Sequence, residues 1–488
     1  MLLVHPLYEV LRQLPWLIGA VVLGSTTDNP LWGIAALWVI AAVGVARWFT
    51  TTYRIEPDPE AGRLQLRAGI LRRKVLSVPR NRIRSVQTEA RLLHRVLGLT
   101  VLRVSTGRET AGDHLFELNA VESDQVPRLR KMLLARTAGV RPDAAPNATG
   151  MLLARWRPSW LRYSPLSLSG LALIAAAVGA LLQSGFWVTL QDSPLGRSAA
   201  DTVQRLGLGT AATLIAAVVV VASVLLAVLR SLVTYGNLTL SRNPGAAGDV
   251  LHLTYGLLRA REHSYDMRRL RGGTLRRPLL VRLMGGARLD AVMTGVHGGG
   301  ESSLLLPPCP AATAESVLSG LVGDPSVVDG PLRGHGPTAA RRRWTRAMML
   351  PLVAAAGLAA AAGTVGAAAW WWVAWVVLTV CSGLLAADRA RALGHRVDRN
   401  WLVARSGSLE RRRDCVATAG IVGWTVRQSW FQRRAGVATL VAATAAGVKA
   451  YRVIDVPEAW AWSVAAAASP WVAASRWSAP AARRHASM

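Results

Sequence analysis

Three groups of basic residues stand at one place in a pattern that the chain writes three times. They are Arg72, Arg73 and Lys74; Arg259 and Arg261; and Arg411, Arg412 and Arg413. Each group follows a glycine by a few positions, as in the turn of a hairpin. A basic turn held near an inner leaflet can meet anionic lipid headgroups, at about 1 kcal/mol per Lys or Arg. A solvated, arginine-rich hairpin explains the same residues without any ligand, and is the simpler account. A second recurring cation, Arg95, Arg282 and Arg433, sits on otherwise apolar segments. A buried Arg there needs a carboxylate or carbonyls, so a structural clamp is favoured over a ligand site.

Other chemistry finds no support in the residues. His94, His114, His252, His263, His297, His335 and His395 are scattered, and none forms a metal pair at helical spacing with acidic help. Gly298-Gly299-Gly300 is followed by Glu301 rather than by a phosphate-binding Gly-Lys-Ser/Thr. There is no Gly-x-Ser-x-Gly elbow. Cys309, Cys381 and Cys415 lie far apart and suggest neither disulfides nor a metal. The expectation is no enzyme, no cofactor and no metal.

The elements that carry these residues recur with them. The pattern runs from Gly69 to Gly98, from Gly256 to Gly285 and from Gly407 to Gly436, 29 positions each time. Ile83, Leu270 and Ile421 fall at one offset; Leu93, Leu280 and Phe431 fall at another. Gly reaches positive φ cheaply, which suits a turn or bulge. Period-two alternation predicts short strands at 64–67, 75–78, 83–87, 100–104 and 115–118 in the first copy. An amphipathic helix closes each copy, near 122–136, at 314–322 and from about Pro457.

Long apolar stretches precede every copy. A bilayer core of ~30 Å takes about 20 apolar residues of helix, and a central charge costs roughly 2.5–3.5 kcal/mol. Uncharged runs place helices near 29–46, 164–190 and 206–229; the run 13–27 is short, so the first helix borrows 7–12 and lets Glu9 and Arg12 snorkel. The run 347–387 is about 60 Å long as a helix and divides near Gly363–Gly366. The uncharged helices speak against an ion or proton pathway.

The net charge of +29 invites nucleic acid, yet only Lys74, Lys131 and Lys449 are lysines, and the Arg, Ala and Gly excess fits a GC-rich genome. Arg also collects on the cytoplasmic side of membrane proteins. Arg47, Arg54, Arg155, Arg157, Arg162, Arg230, Arg341, Arg342, Arg343 and Arg346 flank the polar copies, so both termini and all three copies are expected in the cytoplasm. Many of the 19 Trp residues border apolar runs, as an interfacial belt does.

The residues 67–74 (Arg-Ala-Gly-Ile-Leu-Arg-Arg-Lys), 78–83 (Val-Pro-Arg-Asn-Arg-Ile) and 92–99 (Leu-Leu-His-Arg-Val-Leu-Gly-Leu) resemble the membrane-flanked bacterial pleckstrin-homology-like domain of the YdbS and YdbT proteins. The second copy keeps Gly256, Leu270, Arg282 and Gly285; the third keeps its glycines and Arg433 but has Thr418-Ala419-Gly420 in place of the Pro-Arg stretch. The resemblance implies a split β-barrel with a C-terminal helix.

The expected architecture is a multi-domain membrane protein with six transmembrane α-helices in three hairpins, each followed by a β-rich PH-like split barrel. The hairpins occupy 1–48, 164–234 and 347–387. The PH-like domains occupy 49–137, 235–323 and 388–488, with linkers at 138–163 and 324–346. The expected role is a scaffold of the bacterial inner membrane, partnered by the bilayer, by a protein or a second copy of itself, or by anionic headgroups, and not by nucleic acid. A transporter or transporter-associated subunit, and a sensor of anionic lipid or envelope stress, are the alternatives.

Overall fold

The structure, a computed structural model, describes residues 52–55, 63–68, 74–79, 85–90, 99–105, 116–122, 124–126, 129, 150–167, 174–176, 179, 207–244, 249–295, 303–364 and 368–475. Contacts divide the chain into two units, residues 1–156 with 233–269, and residues 157–232 with 270–488.

Among the described residues three helices are long and apolar enough to cross a membrane. They are α1 (Leu208–Tyr235), α5 (Gly336–Thr364) and α6 (Ala369–Ala392). Their apolar windows are almost wholly exposed, as lipid-facing surface must be. The break between α5 and α6 falls at the expected glycines. Pro351 lies inside α5, and Trp375 of α6 donates its indole N–H to the Pro351 carbonyl at 3.0 Å, which ties the two helices together. The two spans expected within 1–48, and most of the one expected at 164–190, lie outside the described residues. Pro165–Ser167, at the start of the latter, is a 3₁₀ turn and not an α-helix.

In the first unit, β1 (Thr52–Ile55), β2 (Arg63–Ala68) and β3 (Lys74–Pro79) make a three-stranded antiparallel sheet. The next three strands of the first copy, β4 (Ser85–Ala90), β5 (Leu99–Ser105) and β6 (Phe116–Glu122), do not end in a sheet of their own. They continue into β7 (Met151–Arg155), β8 (Thr239–Asn243), β9 (Val250–Tyr255) and β10 (Ala260–Asp266), in the order β6-β5-β4-β10-β9-β8-β7. Strand alternation turns Leu251, Leu253 and Tyr255 inward with Leu240, and all are buried, as is Leu102 of β5. Strand β7 falls in what was expected to be a linker. Its apolar residues pair with β8, Ala154 is buried, and the chain is held further by a 2.7 Å bond from Trp156 N–H to the Leu238 carbonyl.

In the second unit, β11 (Leu270–Pro278), the short α2 (Leu279–Leu283), β12 (Gly286–Met293), β13 (Leu304–Pro310) and α3 (Ala311–Val322) complete the second copy. Its sheet is again shared, with β14 (Gly394–Val397), β15 (Trp401–Ser406) and β16 (Glu410–Ala417), in the order β13-β12-β11-β16-β15-β14. Then β17 (Ile421–Arg427), α7 (Trp430–Arg434), β18 (Val437–Thr444) and β19 (Ala450–Pro457) lead to α8 (Glu458–Ala468) and α9 (Pro470–Ala473). Here β17, β18 and β19 form a three-stranded sheet. The core between the sheets holds Val292, Leu402, Val416, Leu440, Val453 and Ala465. The expected linker 324–346 is also structured. Asp324 caps α4 (Pro325–Asp329) through a 2.9 Å bond from Ser326 N–H, and α5 begins at Gly336.

The expected domain borders are therefore crossed by hydrogen-bonded sheet. The second half of one copy and the first half of the next make a single sheet, twice.

Candidate functional site

The two sheet junctions repeat one register. Eighteen residues after its first glycine, the first copy has Gln87 and the second has Thr274. Seven residues after theirs, the second copy has His263 and the third has Asp414. Gln87 stands opposite His263 where β4 meets β10, and Thr274 stands opposite Asp414 where β11 meets β16. Both pairings are antiparallel. The side chains differ completely between the junctions, so the backbone ladder carries the likeness. Strand β17 holds the same place in the third copy as β4 and β11, and β3 holds the same place in the first as β10 and β16. Among the described residues β17 pairs with β18 alone and β3 with β2 alone.

The basic groups lie beside these junctions. Gly256 and Gly407 open equivalent turns at φ +107° and +93°, and a Cβ on either would stand 2.1 Å from a carbonyl oxygen, that of Arg259 or Glu410. Only glycine serves there. Arg259 forms an ion pair with Glu89, and Arg261 lies on β10 opposite Glu89 and Tyr255. In the third copy the arginines are on β16 and not in the turn. Arg411 pairs with Asp388 of α6, Arg412 approaches Asp414 at 3.5 Å, and Arg413 donates to the Gly330 carbonyl at 3.1 Å. Lys74 opens β3. Arg72, Arg73, Gly69, Arg95 and Gly98 lie outside the described residues.

The recurring clamp arginine has two fates. Arg282 of α2 donates to Asp388 at 3.0 Å, so one carboxylate near the end of the long apolar α6 holds both Arg282 and Arg411. Arg433 of α7 is exposed. Gly285 and Gly436 end these two short helices at φ +71° and +64°.

One buried acid, Asp455, carried no expectation. Asp455 is fully buried at φ +56°, where Arg342 and Arg343 of α5 both pair with it and Gln432 donates a 2.8 Å bond. A single acid in the apolar run Ile454-Asp455-Val456 was the available signal. His335 and His395 are buried and joined at 3.0 Å between Nε2 and Nδ1, while His335 Nδ1 lies 2.8 Å from the Ile454 carbonyl. A carbonyl only accepts, so His335 Nδ1 carries the proton and His395 Nδ1 donates to His335 Nε2. Burial lowers the basicity of both, and that of His395 falls to about 4, with His335 and Arg333 adding to the shift. Cys309 and Cys415 are buried, and their thiols are pushed up to about 12 by desolvation.

Residues 10–137 and 350–464 match the family model described as the bacterial PH domain. These two regions are PH-like. Each match takes in an apolar stretch and the polar copy after it. No curated protein and no solved structure matches the chain. The match and the three apolar helices together mark a membrane-associated protein with a protein-interaction role.

Proposed function

We propose that the chain is a non-enzymatic membrane scaffold that presents PH-like sheets on the cytoplasmic side for self-association or protein recruitment. The observation that supports this is the junction register. Copies are built to lend half a sheet to a neighbour, and the pairing is the same both times. The outer edge of β17 offers the same backbone groups without a described partner. Its sequence, Ile-Val-Gly-Trp-Thr-Val-Arg, holds no proline and only one charge, at its end. Soluble proteins usually blunt such an edge with proline, bulges or charges; β17 has a register shift between Ile421 and Gly423, but β11 has one between Leu270 and Gly273 and still pairs with β16. An open edge of this kind accepts an added strand, with main-chain hydrogen bonds giving affinity. Strand β3 of a second copy has the matching place in the repeat.

The test is crosslinking of the full-length chain in native membranes, followed by native mass measurement in detergent. Dimers, larger assemblies of the chain, or a defined co-purifying protein are expected. A chain that stays monomeric and captures nothing overturns the proposal.

A further inference from the structure

Four arginines of the second unit surround one cavity of about 150 Å³: Arg277 of β11, Arg405 of β15, and Arg411 and Arg413 of β16, with Glu315 of α3 and Asp329 of α4. The strand register explains the clustering. Arg277 stands opposite Arg411, and Arg413 stands between Leu275 and Arg405. Because side chains alternate across a sheet, these cations share one face. The intervening Thr274, Arg276, Arg412 and Asp414 take the other, where Arg276 pairs with Asp290 and Arg412 with Asp414.

The cavity is short of negative charge. Four guanidiniums face two carboxylates. Arg277 pairs with Glu315; Arg411 reaches out of the cavity to Asp388; Arg413 donates to the Gly330 carbonyl. Arg405 donates to the carbonyls of Ala392 and Arg391, at 3.0 and 3.2 Å. The Nε–H groups of Arg277, Arg411 and Arg413 are buried and have no hydrogen-bond partner among the described residues. An unmet buried donor is destabilising, and more so when charged. Burial, reinforced by neighbouring guanidiniums at Arg277, Arg405 and Arg411, weakens the hold of these groups on their protons. A bound anion relieves both penalties together. Guanidinium forks match phosphate oxygens better than any other side chain does. At roughly 30 Å³ per water, the cavity holds a tetrahedral oxyanion with a few waters.

We infer that this cavity binds a phosphate-class oxyanion, supplied either as free phosphate or as the headgroup of an anionic phospholipid. Its position admits both sources. Arg405 caps the last carbonyls of α6, and Arg411 holds Asp388 in the closing turns of that membrane-crossing helix. This site is separate from the β17 edge and stands whether or not the chain self-associates.

The experiment uses the full-length chain in nanodiscs of phosphatidylcholine and in nanodiscs of phosphatidylglycerol. Thermal midpoints are followed as inorganic phosphate is titrated against chloride at constant ionic strength. In phosphatidylcholine, a saturable rise with phosphate over chloride is expected. Arg413→Gln, which removes one charged donor, weakens half-saturation about tenfold or more. Glu315→Gln, which removes the competing carboxylate and leaves all four arginines, tightens it. If a headgroup is the occupant, the phosphate effect disappears in phosphatidylglycerol; if free phosphate is, the effect is equal in both discs. Equal midpoints in phosphate and chloride, or a wild-type response from folded Arg413→Gln and Glu315→Gln, overturn the inference. Should Arg413→Gln fail to fold, the Glu315→Gln titration decides alone.

Discussion

Thr274 Oγ1 donates a 2.8 Å hydrogen bond to Asp414 Oδ1, and both residues are buried at the junction of the second and third copies. Burial raises the carboxyl of Asp414, while Arg412, Thr274 and Arg276 draw it back down. The same two places in the earlier junction hold Gln87 and His263. One ladder thus accepts quite different side chains. What is kept is the place at which the strands meet.

That place can be carried to the open edge. Counting from the first glycines, Thr425 corresponds to Thr274, and Leu76 corresponds to Asp414. A chain with Thr425→Cys and Leu76→Cys is expected to form disulfide-linked dimers on mild oxidation, because opposed strand residues lie ~4.5–5.5 Å apart at Cα and disulfides span ~4.4–6.8 Å. Moving one cysteine to Val426 should lower the yield sharply. Non-reducing electrophoresis gives the answer, and equal yields from both pairs would refute the register.

Asp455 of β19 anchors α5 to the last three-stranded sheet through Arg342 and Arg343. Asn tolerates left-handed φ, so Asp455→Asn removes charge with little backbone strain. Loss of one member of a buried charge cluster costs about 3–5 kcal/mol. A clear fall in the thermal midpoint of the detergent-solubilised chain is expected. A wild-type midpoint would show that the cluster contributes nothing net.

The His335–His395 pair gives a defined pH response. Both are less basic in the folded chain than the ordinary 6.5, and His395 falls to about 4. As pH drops below about 6.5 the unfolded chain takes up protons that the folded pair resists, so stability is lost from about 6.5 down to about 4. Above 6.5 the contribution is complete. Unfolding midpoints from pH 7.5 to 4.5 should fall, and His395→Asn should flatten the slope. An unchanged slope in that variant would exclude the pair as its source.

The turn glycines rank by space as well as by φ. Gly407→Ala meets the Glu410 carbonyl oxygen at 2.1 Å, whereas Gly436→Ala meets nothing within 4 Å. At Gly436 only the left-handed penalty of about 1–2 kcal/mol applies; at Gly407 the turn itself must shift. Urea midpoints should fall further for Gly407→Ala, and the reverse order would contradict this account of the turn.

Much of this was legible in the chain itself. Period two located β2, β3 and β5 because alternation is local, and the uncharged run 347–387 located the α5–α6 break because a bilayer limits helix length. The partners of those strands were not legible. Nothing in Ala260–Asp266 states that it pairs with β4, since alternation fixes which face is buried and leaves the neighbour open. Strand β7 was missed because five residues beside a Pro- and Gly-bearing stretch carry too little pattern. The arginine cavity was half visible: Arg411 and Arg413 stood in the repeat, but Arg277 and Arg405 join them only through cross-strand register. Asp388 could not be assigned to Arg282, 106 positions away, without the fold.

The lent half-sheet also sets a timetable for synthesis. Thr274 leaves the ribosome 140 residues ahead of Asp414, and both α5 and α6 are made in between. Strand β11 must therefore wait, unclaimed along one side, while two long apolar helices are synthesised. A nascent chain halted before β16 carries an adhesive strand beside freshly made apolar helices, which makes premature termination in that interval more hazardous than termination after it.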